Sequence, residues 1–250
     1  MKKIIFYIIY HLIQYRRSVV KKNIMHVGLE LDIKKYYQHL SNNFYEIIQS
    51  FIVPSSKILK NVAYKNLTDV QSDITAGKRV MILASHFSNW EWIGVNLPLV
   101  IKGECIAVYK PLSNKVIDQW IRRSRMRTSM KLAAMSEVVR MIKAFDKRAC
   151  FLFIADQSPS KYQSAISINF LGQPTSFFDG PQKLVNRYDF EVYYQSVYED
   201  KGIYKVQFFK INDQTKLMHH YAALLEQDVI NDPYAWLWTH RRWKREGVYG

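Results

Sequence analysis

Two short, uninterrupted apolar runs, each ending in polar residues, constrain this chain more than any other feature. Residues 80–84 and 149–155 have the composition and length of buried strands. The first run leads into a turn that carries His86, and the second ends at Asp156 and Gln157. Polar residues that follow a buried strand in an α/β sheet face the ligand crevice. The turn with His86 is therefore the first candidate site, and the turn with Asp156 is expected to face a ligand.

Glu91 follows His86 by five positions, and together the two residues suggest a general base, His86, with a carboxylate partner. Residues five apart on one continuous helix point about 140° from each other, so the two cannot meet in mid-helix. They can meet if His86 ends the strand, Ser88 or Asn89 caps the helix, and Glu91 lies in its first turn. A carboxylate on one imidazole nitrogen fixes the tautomer and supports the charge formed when the other nitrogen takes a proton. The same spacing occurs around structural histidines, so spacing alone leaves both interpretations open.

The charge balance of the chain predicts an anionic partner. Lysine and arginine outnumber aspartate and glutamate by 36 to 21, a formal net charge of +15, and seventeen tyrosines and six tryptophans accompany them. This combination suits single-stranded nucleic acid, a membrane surface or an acidic carrier protein. Composition does not choose among the three.

The N-terminal segment predicts a membrane-associated helix over residues 1–30. Its apolar run, residues 4–13, is about half as long as the roughly twenty residues that a bilayer span needs. The run carries tyrosines and is followed by Arg16, Arg17, Lys21 and Lys22. This pattern favours an amphipathic helix that lies on the membrane surface. A core helix of an ordinary soluble domain is the alternative.

A basic cluster lies between Lys110 and Lys131, where seven cations accompany a single acid, Asp118. A solvated helix face is the plain interpretation. So one-sided a cluster also suits a polyanion, because the planar guanidinium donates two parallel hydrogen bonds to phosphate. The candidate anchors for a phosphate group are Arg122, Arg125 and Arg127.

The rest of the chain predicts an α/β domain over residues 31–250. Helices are expected at 34–53, 114–127, 136–145 and 214–230, strands at 105–109 and 131–134, and a hairpin from 191–197 and 203–209. Glu46 is expected on a solvated helix face, and residues 170–181 are expected to form an apolar loop. Cys105 and Cys150, in apolar runs, are expected to be buried reduced thiols of a cytosol-facing chain.

Several motifs together resemble one family. They are His86-x4-Glu91, Tyr109-x-Pro111-Leu112, Arg125-x-Arg127, Asp156-Gln157-x-Pro159 and the closing string from Trp236 to Lys244. In this order they look like the glycerolipid-type acyltransferases, and more narrowly the lauroyl/myristoyl acyltransferases of bacterial lipid A biosynthesis. The resemblance implies a glycerolipid acyltransferase-like α/β fold, with a mostly parallel or mixed central sheet flanked by helices and an N-terminal membrane-associated helix.

The resemblance also implies an activity: transfer of a fatty acyl group from an acyl-carrier-protein thioester to a hydroxyl of a lipid A precursor. His86 would act as the general base and Glu91 would orient it, whereas Arg122, Arg125, Arg127, Asp156 and Gln157 would bind substrate. No cofactor, metal or nucleic acid is expected. The expected partners are acyl carrier protein, the lipid acceptor and the membrane surface, at the cytoplasmic face of the inner membrane.

Three other functions stay open on the sequence alone. A lysophospholipid or aminolipid acyltransferase would share the histidine and glutamate, since the acceptor is not encoded in that pair. A basic nucleic-acid-binding module would explain the charge and the aromatic residues, but it leaves the motif around His86 unused. A catalytically inactive membrane-docking protein is the third possibility.

Overall fold

The computed structural model describes residues 1–111, 114–145, 148–159 and 164–249. Leu112, which carries part of the resemblance, lies outside the described residues, as does Gly250 at the end of the expected domain.

The central sheet has seven strands, most of them parallel. The strands of the described chain are β1 (Val62–Lys65), β2 (Val80–Ala84), β3 (Glu104–Tyr109), β4 (Lys131–Ala134), β5 (Ala149–Ile154), β6 (Ala165–Phe170), β7 (Gln173–Phe178), β8 (Glu191–Asp200) and β9 (Ile203–Lys210). The sheet order is β1-β9-β8-β2-β5-β3-β4. Its neighbours run parallel except β8 and β9, which form the predicted hairpin.

Helices flank this sheet. They are α1 (Lys2–Phe6), α2 (Arg17–His26), α3 (Ile33–Ser50), α4 (Ser55–Leu59), α5 (Leu67–Thr75), α6 (Trp90–Val100), α7 (Lys115–Met126), α8 (Val138–Ala144), α9 (Gly180–Val185) and α10 (Leu217–Asn231). A π-helical segment at Tyr7–Leu12 continues α1, and a 3₁₀ turn at Met135–Glu137 precedes α8. The mixed α/β architecture predicted from the sequence is confirmed.

The two apolar runs are central strands of the sheet. All five residues of β2 are buried, because the strand lies inside the sheet between β5 and β8 and the flanking helices cover the sheet. Residues 149–153 of β5 are likewise buried. A strand surrounded in this way reads as an unbroken apolar run instead of an alternating one. Cys105 and Cys150 lie opposite each other on β3 and β5, and the prediction of buried free thiols is confirmed.

The prediction of a loop at residues 170–181 is wrong, because most of this segment belongs to a hairpin. β6 and β7 pair antiparallel around Leu171 and Gly172, which both have positive φ (52° and 72°). Two such residues form the tight turn whose twist matches paired strands. The apolar side chains of the hairpin turn inward, and Phe170 and Phe177 are fully buried.

The N-terminal segment packs beside α3. Ile9, Val20 and Ile24 join the buried core, whereas Ile4 and Leu12 stay exposed. In the described part of the chain, none of the helices has the length and apolar character needed to cross a bilayer.

Candidate active site

His86 stands in the turn after β2, and this turn is held from several sides. Ser88 has a left-handed backbone (φ 53°), which is uncommon for a residue other than glycine and persists only where the surroundings enforce it. Its N–H donates to the carbonyl of Ala235 (2.8 Å), and its carbonyl accepts from the side chain of Asn43 (3.1 Å). The N–H of Leu237 donates to the carbonyl of His86 (3.1 Å). The turn is therefore fixed by α3 and by the C-terminal segment.

Asp156 is the carboxylate partner of His86. Their Nδ1 and Oδ1 atoms lie 2.7 Å apart. β2 and β5 are parallel with Ala84 opposite Ile154, so residues two positions further along each strand come side by side. The sequence predicts substrate binding for Asp156, but both its oxygens contact protein donors, since Trp236 Nε1 donates to Oδ2 (3.0 Å). Asp156 therefore lies behind the imidazole.

These hydrogen bonds determine which nitrogen of His86 is basic. An ionised carboxylate only accepts, so Nδ1 carries the proton and Nε2 of the neutral ring keeps its lone pair. The side-chain amide of Gln157 reaches that Nε2 at 3.3 Å. Burial alone would raise the pKa of Asp156, but the charge and hydrogen bond of His86 and the Trp236 hydrogen bond hold this pKa below its usual range. The carboxylate therefore stays ionised behind the ring.

Glu91 contacts Arg125 on α7 instead of His86. Arg125 Nη2 donates to Oε1 (2.5 Å) and Nε donates to Oε2 (3.2 Å). Both side chains are largely buried, with 11% of Glu91 and 18% of Arg125 exposed. No hydrogen bond or ion pair within the described chain joins Glu91 to His86, so the expected contact is wrong. The reason is that α6 places its first turn against α7, while β5 brings Asp156 directly beside the imidazole.

The start of α6 is capped as predicted. Asn89 Oδ1 accepts from the N–H of Trp92 (3.1 Å). The Asn89 amide donates in turn to Oε2 of Glu46 (2.8 Å), which also accepts from the hydroxyl of Tyr204 (2.6 Å). The expectation of a solvated Glu46 is wrong, because only 14% of its side chain is exposed. Glu46 joins α3 and β9 to the residue that caps α6.

The three arginines expected to bind phosphate have different surroundings. Arg125 is engaged by Glu91. Arg127 donates to the carbonyls of Ser50 (2.7 Å) and Val53 (2.9 Å), which ties α7 to the end of α3. Arg122 is exposed and donates to the hydroxyl of Tyr109. Of the three, Arg122 alone has its guanidinium on the protein surface without a backbone or carboxylate acceptor in the described chain.

Other cations gather where the strands of the sheet end. Lys110 follows β3, and Arg245 Nε donates to the carbonyl of Pro159 (2.8 Å), just beyond the turn with Asp156. The pKa of Lys244 is lowered by partial burial and by the nearby charges of Arg245 and Lys110. Within the described chain, neither Lys110 nor Lys244 makes an ion pair. Mutually repelling cations of this kind favour the binding of an anion.

The tryptophans near the C-terminus form part of the core. Trp236, Trp238 and Trp243 are 3%, 0% and 0% exposed, and Trp236 packs edge-on against the other two rings. The sequence leaves base stacking or phosphate binding open for this string, but buried indoles cannot stack on bases. Arg242 is buried among them, and its Nη1 donates to the carbonyl of Ser176 (2.6 Å). The string supports the turn that carries His86.

His240 is a second histidine beside the site. Burial and then the charges of His86, Arg242 and Lys244, against the opposing charge of Asp156, lower its pKa to about 3. The ring is therefore neutral at pH 7. Its Nδ1 has no hydrogen-bond partner among the described residues.

A narrow, mostly apolar cavity lies between α6 and the sheet, one residue layer away from His86. Its walls are Trp90, Glu91, Gly94, Ala107, Val108, Arg125, Met130, Leu152 and Ile154, and its volume is about 20 Å³. The Trp90 ring packs edge-on against the imidazole, with centroids 5.2 Å apart. A wider cavity of about 420 Å³ lies between β8, β9 and α10. His86 and Asp156 line neither cavity, but the ring of Trp90, which packs against His86, is a wall of the narrow one.

A histidine at the carboxyl end of a parallel strand, backed by a buried carboxylate, is an arrangement that can serve as a general base. The comparisons with known proteins agree. The family model described as bacterial lipid A biosynthesis acyltransferase matches residues 30–245. The chain belongs to this family, and it is an acyltransferase.

Two curated relatives are similar over most of their length. The lipid A biosynthesis palmitoleoyltransferase of Escherichia coli (strain K12) is 21% identical over 257 aligned positions, which cover 93% of this chain and 80% of the relative. The lipid A biosynthesis acyltransferase of Shigella flexneri has the same identity and coverage.

Sequence reasoning identified His86 but missed its partner. One signal was available, because Asp156 and His86 each follow a buried parallel strand, and the carboxyl ends of parallel strands meet at one edge. The order of strands was needed to know that β2 and β5 are neighbours. His240, Lys110 and Lys244 could not be placed, since they come from distant parts of the chain.

Proposed function

We propose that the protein transfers a fatty acyl group from an acyl-carrier-protein thioester to a hydroxyl of a lipid A precursor, with His86 as the general base. The observation that carries this mechanism is the 2.7 Å contact between His86 Nδ1 and Asp156, which leaves Nε2 basic. The imidazole is 20% exposed, so a hydroxyl can reach it. Family membership supports the reaction class and the lipid acceptor.

Each step of the proposed reaction uses groups of the described site. His86 Nε2 takes the proton of the acceptor hydroxyl while the hydroxyl oxygen attacks the carbonyl carbon of the thioester. The N–H groups of Trp90 and Glu91, in the first turn of α6, are candidates to stabilise the oxyanion. The carbon–sulfur bond then breaks, and the imidazolium returns its proton to the leaving thiolate. Asp156 stabilises the imidazolium between these steps.

The other residues divide into positioning and binding roles. Glu91 and Arg125 join α6 to α7, so they position the narrow cavity and the proposed oxyanion donors. The acyl chain is proposed to enter at the narrow cavity, the acyl slot, which at about 20 Å³ would have to widen to hold it; each methylene buried there would contribute about 0.8 kcal/mol. Arg125 and Arg127 already donate to protein acceptors. Anchoring of acceptor phosphate is therefore proposed for Arg122, Lys110 and Lys244.

The proposed place of action is the cytoplasmic face of the inner membrane. Residues 1–30 would associate with the bilayer, and residues 31–250 would form the catalytic domain. The net charge of +15 supports contact with anionic lipid and with an acidic carrier protein, since basic residues near an anionic bilayer contribute about 1 kcal/mol each.

The test is acyl transfer by purified protein in detergent, with acyl-carrier-protein thioesters that include the palmitoleoyl donor suggested by the Escherichia coli relative. His86→Ala should lower turnover at least about 10²-fold while the fold persists. His219→Ala, at an exposed position on α10, is the matched control. Full turnover by the His86 variant would refute the mechanism. Transfer to a lysophospholipid only, and to no lipid A precursor, would favour the alternative acceptor.

A further inference from the structure

The outward face of α7 combines apolar and basic side chains. Val116, Trp120 and Arg123 recur at steps of four and three residues, so they share one stripe of the helix. Val116 is 60% exposed and Trp120 58%. The packing contacts of α7 come from Ser124, at the flank of this stripe, which contacts α3, and from Arg125, on the opposite face, which contacts α6. A helix that packs on a core normally turns its apolar stripe inward, so this outward stripe needs another partner.

The end of α3 extends the same surface. The Phe51 ring packs against Trp120, with centroids 6.4 Å apart. Ile48 and Ile52 are exposed beside it, and Ile52 is 77% exposed. The hydrogen bonds of Arg127 to the carbonyls of this segment hold it against α7. The apolar surface is therefore continuous from α7 to α3.

The N-terminal segment continues the surface further. Lys2 lies 3.5 Å from Glu46, and the Tyr10 ring lies 5.4 Å from the Tyr37 ring, so this segment runs antiparallel to α3. Its first residues thus lie toward the end of α3 that carries Ile48. Exposed apolar side chains along it are Met1, Ile4, Tyr7, Ile8, Leu12 and Ile13.

We propose that this continuous surface, formed by the outward face of α7, the end of α3 and the N-terminal segment, docks on an anionic lipid bilayer. The inference rests on the proposed function and adds that the contact reaches α7, whose Arg125 lines the acyl slot. Exposed cations border the apolar residues, namely Lys2, Lys3, Lys115, Arg122 and Arg123. This charge complements anionic headgroups, and tryptophan suits the depth of the interface.

The spread of the surface favours a bilayer over an acidic protein. An acidic carrier would be recognised mainly through opposite charges. Here the exposed apolar side chains come from three segments, with the cations at their border. Helices that lie in a membrane interface show this arrangement. Docking here would bring lipid acceptors to the side of the protein where the slot lies.

Vesicle binding by the full chain tests this proposal. The probe is a vesicle of phosphatidylethanolamine with phosphatidylglycerol, compared with one of phosphatidylcholine alone. Trp120→Ser and Arg123→Gln should each weaken binding to the anionic vesicle about fivefold or more. Ile230→Ser and Lys143→Gln, at exposed positions on α10 and α8, are matched controls and should bind as the unchanged protein does.

Quenching by brominated lipid gives a second readout. Trp92, Trp236, Trp238 and Trp243 are buried, and Trp90 is half-buried beside His86, whereas Trp120 is 58% exposed. Quenching by a brominated bilayer should therefore come mainly from Trp120. Trp120→Ser should remove most of the quenching, and Ile230→Ser should retain it. Quenching that survives the loss of Trp120 would overturn insertion of α7.

The outcomes separate this proposal from the proposed function. His86→Ala should bind vesicles normally, and Trp120→Ser should transfer acyl groups normally when all substrates are dispersed in detergent. Unchanged vesicle binding by both the Trp120 and Arg123 variants would overturn docking and leave the enzymatic proposal intact. Weakened binding to acyl carrier protein, with unchanged vesicle binding, would instead assign the surface to the carrier. Intact vesicle binding without acyl transfer under any condition would refute the enzymatic proposal alone.

Discussion

Asp156 accepts a hydrogen bond from Nδ1 of His86 across 2.7 Å, and Trp236 holds the other oxygen of the same carboxylate. The orientation of the imidazole thus depends on β2, on β5 and on the C-terminal segment together. None of these three elements is adjacent to another in the sequence. The central feature of the site is therefore a product of strand order.

Replacing Asp156 with asparagine should impair catalysis with little change in shape. An asparagine amide can donate to Nδ1, which would move the proton of the neutral ring to Nε2 and remove the basic lone pair. Turnover at saturating acceptor should fall about 10²–10⁴-fold, as for loss of general-base catalysis. Steady-state kinetics and circular dichroism check this. Unchanged turnover with an intact fold would show that Asp156 does not orient His86.

Glu91→Gln should act mainly through stability. The change leaves Arg125 charged and largely buried without its carboxylate, which costs about 3–5 kcal/mol in comparable buried pairs. Glu104→Gln is the matched control, because its ion pair with Lys131 is exposed and contributes about 0–1 kcal/mol. Urea unfolding measures both. Equal stability of the two variants would contradict the structural role of Glu91.

Substitutions of Arg122 and Arg127 should have different effects, the first on substrate binding and the second on stability. Arg122→Ala should raise the KM for a phosphorylated acceptor and leave the free energy of unfolding nearly unchanged, because the side chain is exposed. Arg127→Ala should lower the free energy of unfolding by about 1–3 kcal/mol, since two carbonyls lose a charged donor. Kinetics and urea unfolding of each variant are compared. The reverse pattern would restore Arg127 as a phosphate anchor.

Because the pKa of His240 is lowered in the folded protein, the free energy of unfolding should decrease in acid. Burial and neighbouring cations lower its pKa from 6.5 to about 3, so between these values the unfolded chain binds a proton that the folded chain does not. The free energy of unfolding should therefore fall as the pH drops from about 6.5 toward 3, by at most about 1.4 kcal/mol per pH unit. His240→Gln should flatten this part of the curve. Chemical unfolding across the range, with His219→Gln alongside, measures the difference.

Gly94 should influence the length of the acyl chain. A Cβ at this position would meet Leu152 Cδ2 at 3.8 Å, which is ordinary contact, so Gly94→Ala fits the fold. The added methyl group narrows the slot and should shift preference toward shorter donors, while the helix gains about 0.5–1 kcal/mol from loss of glycine. A panel of thioesters of different length measures the preference. An unchanged preference for Gly94→Leu would place the acyl chain elsewhere.

Much of the fold could be predicted from local pattern. The strands β2 and β5, the helices α3 and α7, the hairpin of β8 and β9, and the cap at Asn89 are all confirmed, because each depends on residues near one another in sequence. The hairpin of β6 and β7 was missed because β7 shows no alternation of apolar and polar residues, although Ile166, Ile168 and Phe170 of β6 do alternate with polar ones. Glu46 was misplaced because its partners, Asn89 and Tyr204, come from other elements.

The sequence by itself determined that a histidine follows a buried strand, and that cations greatly outnumber acidic residues in the chain. Apolar runs, helix caps and turns are local properties, so they can be read along the chain. Tertiary structure decided which carboxylate serves that histidine. β5 lies next to β2 and in register with it, which brings Asp156 to His86, while α7 takes Glu91 through Arg125. Partner choice across a sheet depends on strand order, and no local spacing encodes it.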